Sequence, residues 1–218
     1  SRGLAVPAAN APFLFWVLVA ALGQIAATFL LIHLFSYRNF AVGTAYSRTE
    51  PAQAALFALL FFGERITPGT LFAISISVLG VMAISVAHMA PTWRNLVASV
   101  LARNALIGLA SGALFGIAAV AYRAASLALG GPDFTMQAAT TLVYALAFQT
   151  VIMSGWMLWR DPGEFGRIAR AWKPSLFTGF AGASASFGWF MAMTLQQAAV
   201  VKALGQIEML FTFAASVF

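Results

Sequence analysis

Residues 40–65, FAVGTAYSRTEPAQAALFALLFFGER, restrict the chain more than any other stretch. At about 1.5 Å per residue, the run from Phe40 to Phe62 is long enough to cross the roughly 30 Å hydrocarbon of a bilayer as a helix. Glu50 and Pro51 fall halfway along it. An ionised side chain at that depth costs about 2.5–3.5 kcal/mol on insertion scales, so it faces protein or a wet cavity. The proline removes a backbone donor and presses on the carbonyl four residues earlier, freeing polar backbone where lipid offers no partner. The sequence therefore predicts a kinked membrane helix whose acid either braces the kink or serves a binding site.

Composition supports the membrane reading. Hydrophobic residues make up 61% and charged residues 8% of the 218, against about 25% charged in soluble domains. The net charge of +6 would suggest nucleic acid in a soluble chain. Here the basic residues fall mostly at loop ends, as in membrane proteins, so no nucleic-acid partner is expected. With no cysteine there are no disulfides, thiolate metal sites or cysteine nucleophiles. The chain opens on SRGLAV and ends within an apolar run at Phe218, which reads as part of a longer protein.

Seven spans are expected: 12–36, 40–62, 69–86, 105–127, 135–159, 175–197 and one starting after Gln197 and running to Phe218. Gly63 should end the second span left-handed, and Thr67 with Pro68 should open the third as N-cap and first-turn proline. Residues 87–104 read as an interfacial connection, and RDPGEFGRIARAWKP as a basic loop. Gly108, Gly112 and Gly116 are four apart on one face, where they let another helix come close. Trp16, Trp93, Trp156, Trp159 and Trp172 fall near span ends, the headgroup level that indoles favour. Trp189 lies inside a span and reads as an inter-helix or pocket residue.

A shift of 158 residues lays 17–60 on 175–218 without a gap. The identities are few and mostly apolar, but Glu50 falls on Glu208. Gln24, Thr28 and Leu31 fall on Gly182, Ser186 and Trp189, spaced to share one helical face in each copy. The copies are five spans apart, an odd number, so they cross the membrane in opposite senses. Inverted repeats of this kind build alternating access around a midplane site. Completing the shift gives ten spans, of which those here are numbers 3 to 9.

The stretch TEPAQAALFALLFFGERITPGTLFAISISVLGVMAI resembles the EamA-type repeat of the drug/metabolite transporter superfamily, through Glu50-Pro51, Gly63-Glu64-Arg65 and Gly80. In the second copy Met209 stands where the motif has proline. The resemblance implies an all-α integral membrane protein, a helical bundle of two inverted five-helix repeats, with spans 3, 4, 8 and 9 lining a central cavity. Residues 1–86 would belong to the first repeat and 105–218 to the second, joined by 87–104. It implies cytoplasmic termini, whereas counting Arg38, Arg94, Arg103, Arg160, Arg167, Arg170 and Lys173 against Arg2, Arg65 and Arg123 implies the reverse. The expected location is a bacterial inner (plasma) membrane.

The candidate cavity residues are Gln24, Thr28, Tyr46, Arg48, Glu50, Gln53, Ser186, Trp189, Lys202, Gln206 and Glu208. Lys202 and Gln206 share a face at i, i+4, while Glu208 points elsewhere. Lys202 reads either as a snorkelling interfacial cation or as a recogniser of anions. Arg48 reads as an acid's partner or as a fork for a carboxylate or phosphate. Two residues apart on a helix is about 200° of rotation, so Arg48 does not neutralise Glu50 and a cation from another helix is required. Tyr46, one turn before Glu50, is placed to cap its carboxyl, and Gln53 continues that face. His33 and His88 have no second ligand at metal spacing, so no metal or other cofactor is expected. Gly182-Ala183-Ser184-Ala185-Ser186 fails the nucleophile-elbow pattern at its last position, and no other enzyme motif occurs. The chain thus reads as a secondary transporter, an exporter or exchanger, of a small organic metabolite, with proton coupling through the acids as one option. A non-transporting membrane assembly or lipid-contacting subunit on the same scaffold is the alternative.

Overall fold

The computed structural model describes residues 6–37, 40–65, 67–86, 101–131 and 133–207. Among these the secondary structure is all helical: α1 Ala11–Leu34, α2 Phe40–Ser47, α3 Glu50–Phe62, α4 Pro68–Val86, α5 Arg103–Ala128, α6 Phe134–Arg160, α7 Glu164–Arg170, α8 Trp172–Leu195 and α9 Ala198–Gly205. Four of them, α1, α5, α6 and α8, are long and apolar enough to cross a membrane. In α1 Phe13, Val17 and Ala20 are buried while Phe15, Leu22 and Phe29 are exposed. A helix apolar on every face suits a lipid surround, since in water its outer face would be polar.

The expected fourth span is divided. Its helix stops at Ser47, turns through Arg48 and Thr49, and restarts at Glu50 with Pro51 in the first turn. Pro51 has no N–H for the Ser47 carbonyl, and its ring would strike that carbonyl in a continuous helix. Local hydroxyls widen the gap: Ser47 Oγ donates to the Thr44 carbonyl and Thr49 Oγ1 to the Tyr46 carbonyl, each at 2.7 Å. A proline-induced bend has become two helices meeting at a turn.

Other boundaries follow their local chemistry. Gly63 closes α3 in the left-handed conformation at φ 62°. Thr67 opens α4, its Oγ1 accepting from the Thr70 N–H at 3.2 Å. Asp133 caps α6 by accepting from the Thr135 N–H at 2.8 Å. The basic loop contains a helix of its own, α7, held by Arg167 bridging Asp161 and Glu164. Its seven residues carry too little apolar periodicity to stand out in the sequence.

The chain divides into two compact units, residues 1–22 with 121–195 and residues 23–120 with 196–218, so α1 and α5 each run through both. In the first unit α6 packs on α8. Asn10 caps α1, accepting from the Phe13 N–H at 2.9 Å, and its amide donates to the Ala128 carbonyl at 2.6 Å. The start of α1 is thereby fixed at the end of α5. In the second unit α9 packs on α3 and α4. There the glycine face of α5 meets α2 and α3: a Cβ on Gly108 would lie 2.0 Å from the Gly43 carbonyl oxygen, and one on Gly112 2.7 Å from that of Ser47. The sequence expectation for this stripe holds, and its partner is the divided helix.

Candidate functional site

The division leaves carbonyls without intrahelical donors. Ala52, which would serve Arg48 in a continuous helix, donates instead to the Thr49 carbonyl at 3.0 Å. The Arg48 carbonyl is met from another helix, by Gln206 Nε2 at 2.8 Å. The Ser47 carbonyl is backed by Gly112, where any side chain would collide with it. Such provision is required where irregular backbone runs inside a membrane-type bundle.

Glu50 stands in the first turn of α3, where the helix dipole favours a negative charge. Its Oε1 lies 2.8 Å from Lys202 Nζ of α9, with the two side chains 17% and 22% exposed. That oxygen is otherwise buried and accepts no hydrogen bond of good geometry, so charge attraction holds the pair. The sequence argument that Glu50 needs a cation from another helix is met by Lys202. The snorkelling interpretation of Lys202 gives way, because its ammonium is directed at α3. Tyr46 does not cap the carboxyl. The turn at Arg48 and Thr49 ends the i, i+4 relation, and Tyr46 is buried beside Ala45, Ala105 and Leu109.

Gln53 extends the polar group on α3. Its amide donates to Thr49 Oγ1 at 2.7 Å, while its Oε1 is buried without a hydrogen-bond partner. Glu50 and Gln53 therefore bring two buried acceptor oxygens to the first turn after the break. Because α9 supplies both Lys202 and Gln206, a single short helix holds both the charge and the backbone of the break. At its other end Gln197 Nε2 donates to the Arg65 carbonyl at 3.3 Å. Hence α9 starts beside the C-terminal end of α3 and finishes beside its N-terminal end, antiparallel to it.

Of the candidates from sequence, Arg48, Glu50, Gln53, Lys202 and Gln206 gather at this break. Gln24 and Thr28 belong to the same unit, where the Thr28 hydroxyl donates to the Gln24 carbonyl at 2.8 Å within α1. Ser186 and Trp189 lie on α8 in the other unit, half-buried. Glu208 and Met209 lie outside the described residues, as do Arg38, His88, Trp93 and Arg94. A cavity of about 650 Å³ opens between α4 and α9, and its described lining includes Gln206 but not Glu50 or Lys202.

Two participants escaped the sequence reading. Thr49 donates to Tyr46 and accepts from Gln53, making it the hub of the turn. Its signal was present, a hydroxyl residue two positions before a proline in a helical run. Arg123, counted only for orientation, lies within α5, inside the expected span 105–127, and donates through Nη1 to the Met193 carbonyl at 2.6 Å. It thus serves the last turn of α8, where carbonyls lack partners and a cation is favoured. Among the described residues no three His, Cys, Asp or Glu side chains cluster as for a metal. Comparison of the chain with protein-family models, with curated proteins and with solved structures finds no match.

Proposed function

We propose that this chain is the core of a secondary transporter that moves a small organic metabolite by alternating access between two inverted repeats. The observation that carries this reading is the divided helix with its ion pair. A broken membrane helix is costly to a scaffold, yet in transporters such breaks supply partial charges and backbone groups to a midplane site. Here the break carries Glu50 and Gln53 on one side, and α9 brings Lys202 and Gln206 to it.

Element lengths support the repeat. Both α1 and α8 have 24 residues, and both α2 and α9 have eight. The helices α2 and α9 start at Phe40 and Ala198, 158 positions apart, and turn residues follow each, at Arg48–Thr49 and at Gln206–Ile207. Gln206 and Arg48, also 158 apart, are in contact. Equivalent residues of two copies related by a pseudo-two-fold touch only near its axis, so this contact fits an axis at the break.

In this mechanism Lys202 and Gln206 hold α9 on α3 in one state. A substrate or a proton that competes for Glu50 or Lys202 weakens the ion pair, and the two copies exchange roles as the cavity opens to the other side. Ligands shift such an equilibrium only by their differential affinity for the two states, which a charge pair remade in each state provides. An exporter or exchanger is the expected direction of use.

The test is solute-dependent proton movement in sealed vesicles containing the full chain, read by an internal pyranine pH signal. A panel of amino acids, organic acids and sugars is added outside. At least one class should move protons with the parent chain, and Glu50→Gln should fold and still bind that class but lose the proton signal. Parent-like coupling in Glu50→Gln removes Glu50 from the mechanism. A Glu50→Gln chain that does not fold, together with a parent that moves none of the panel, establishes the non-transporting assembly.

A further inference from the structure

The segment between α6 and α8 carries more chemistry than a connection between two spans requires. Its helix α7, Glu164–Arg170, has no buried residue, and Phe165 and Ile168, three apart on one face, are exposed. Arg170 lies about 140–160° round the helix from both at 3.6 residues per turn, so α7 is amphipathic. Isolated helices shorter than about 12–15 residues are marginal in water. The bridge from Arg167 to Asp161 and Glu164 gives α7 one support on its polar side. Its apolar face calls for another.

Position decides what covers that face. The 27 residues of α6 and 24 of α8 make about 40 and 36 Å of helix, against roughly 30 Å of hydrocarbon. The ends that α7 joins therefore reach the headgroup level. Exposed indoles stand there: Trp156 and Trp159 near the end of α6, with ring centroids 5.4 Å apart, and Trp172 at the start of α8. Cations stand beside them. Residues 160–173 hold four basic and two acidic side chains, and Arg167 takes both acids. The other three, Arg160, Arg170 and Lys173, are exposed and have no carboxylate partner among the described residues. Arg170 Nε donates to the Gly166 carbonyl at 3.2 Å, and Lys173 Nζ lies 5.7 Å from the centre of the Trp172 ring.

We propose that α7 is an interfacial seat for anionic phospholipid, with Phe165 and Ile168 laid against the acyl boundary and Arg160, Arg170 and Lys173 drawing phosphate diesters to the polar side. Amphipathic helices bind in this way through apolar area plus attraction to anionic lipid. A zwitterionic headgroup brings its own ammonium to each phosphate, whereas an anionic one leaves the negative charge for the protein. Each basic side chain near such a surface is worth about fivefold in affinity. A soluble acidic partner would meet the cations but not the apolar face, which the two spans hold at the bilayer. The seat requires that α6 and α8 cross a membrane and is independent of transport.

Because the chain has no cysteine, a fluorophore can be placed on Ile168→Cys alone. The labelled full chain is placed in phosphatidylcholine bilayers with a minor share of lipid carrying a nitroxide high on the acyl chain, either phosphatidylglycerol or phosphatidylcholine. Both should quench the label, and the local affinity for phosphatidylglycerol should be about three- to tenfold the higher. That ratio should fall towards one in 1 M sodium chloride, and likewise in the combined variant Arg160→Gln, Arg170→Gln, Lys173→Gln, while quenching by phosphatidylcholine persists. A label on Val143→Cys, exposed within α6, should show no preference. Quenching by neither lipid would place α7 in water or against protein and overturn the proposal. So would equal quenching by the two lipids, or a preference retained in the folded triple variant. A preference that 1 M sodium chloride leaves unchanged overturns it too, and this arm decides if the triple variant does not fold.

Discussion

The two units meet the same physical demand in opposite places. In residues 1–22 with 121–195, side chains are spent on helix ends: Asn10 on the start of α1 and the end of α5, Asp133 on the start of α6, Arg123 on the last carbonyls of α8. The helices between those ends are unbroken, and a side-chain contact, Ser126 Oγ to Thr194 Oγ1 at 2.6 Å, joins α5 to α8. In residues 23–120 with 196–218 the effort goes to the middle of what would be one membrane span, where Gln206, Lys202 and the glycine face of α5 support a turn and an acid. A capped end makes a rigid strut. A braced break is held by side chains, which exchange partners more readily than helical hydrogen bonds do.

The contrast breaks most sharply at the glycines. A side chain at Gly108 would meet the backbone of Gly43, which cannot yield as a flexible side chain does. Gly108→Leu should cost more than about 3 kcal/mol and leave little folded chain. Gly155 and Gly188 in the other unit have nothing within 4 Å of the added carbon. Gly155→Leu and Gly188→Leu should give near-parental yields by fluorescence size-exclusion chromatography. Equal losses at all three would mean that helix propensity, not close approach, governs these positions.

Next in size is the ion pair. Lys202→Met leaves the Glu50 charge without its partner, and with both groups about one-fifth exposed the cost should be about 1–3 kcal/mol rather than the 3–5 of a fully buried pair. Adding Glu50→Gln should recover much of that loss, a coupling that a double-mutant cycle of unfolding free energies measures directly. Additive losses would show that the two side chains act separately despite their 2.8 Å contact.

Much of this architecture was legible in the sequence, for reasons that explain what was not. The long helices announce themselves by apolar length, and α4 to α6 begin and end within a few residues of expectation because Thr67, Gly63 and the turn before Asp133 act through local geometry. The need of Glu50 for a cation from another helix follows from helical rotation alone. The break does not follow, since a proline in a helix yields either a bend or an interruption. What decided it was the pair of hydroxyls at Ser47 and Thr49 acting with Gly112 and Gln206, and the last two are distant in sequence. The role of Arg123 was hidden for the same reason: its partner is a helix end 70 residues away. The cavity between α4 and α9 depends on which face of α9 turns towards α3, which periodicity does not fix for an eight-residue helix.

The backbone supports sharpen the comparison further. Gln206→Leu removes the donor of the Arg48 carbonyl and should cost about 1–3 kcal/mol, the range for a stranded buried acceptor. Arg123→Met removes a cation from the end of α8, where the loss should be about 1 kcal/mol, because a frayed last turn finds other donors more easily than a turn held inside a bundle. Amide exchange should localise each effect, around Ala52 and Gln53 for the first and at the end of α8 for the second. If Arg123→Met proves the more damaging, the first unit is not the simple strut described above.

The smallest effect belongs to the connection between α6 and α8. Arg167 pairs with Asp161 and Glu164, and its hydrogen bond holds the Asp161 carboxyl below the usual carboxylate range. A group whose folded pKa is depressed adds stability above its unfolded value, about 3.9, and that contribution disappears as pH falls through the folded value. Amide exchange in α7 should therefore be insensitive to this pair from pH 7 down to about 5. It should accelerate below pH 4, once the intrinsic pH dependence of exchange is removed. Because all three side chains are well exposed, salt should screen the contacts, and 1 M sodium chloride should shrink the pH step without moving the helix boundaries. Asp161→Asn should abolish the part of the step due to Asp161 while leaving the long helices unchanged. A pH step of the same size in that variant would show that Asp161 is not its source.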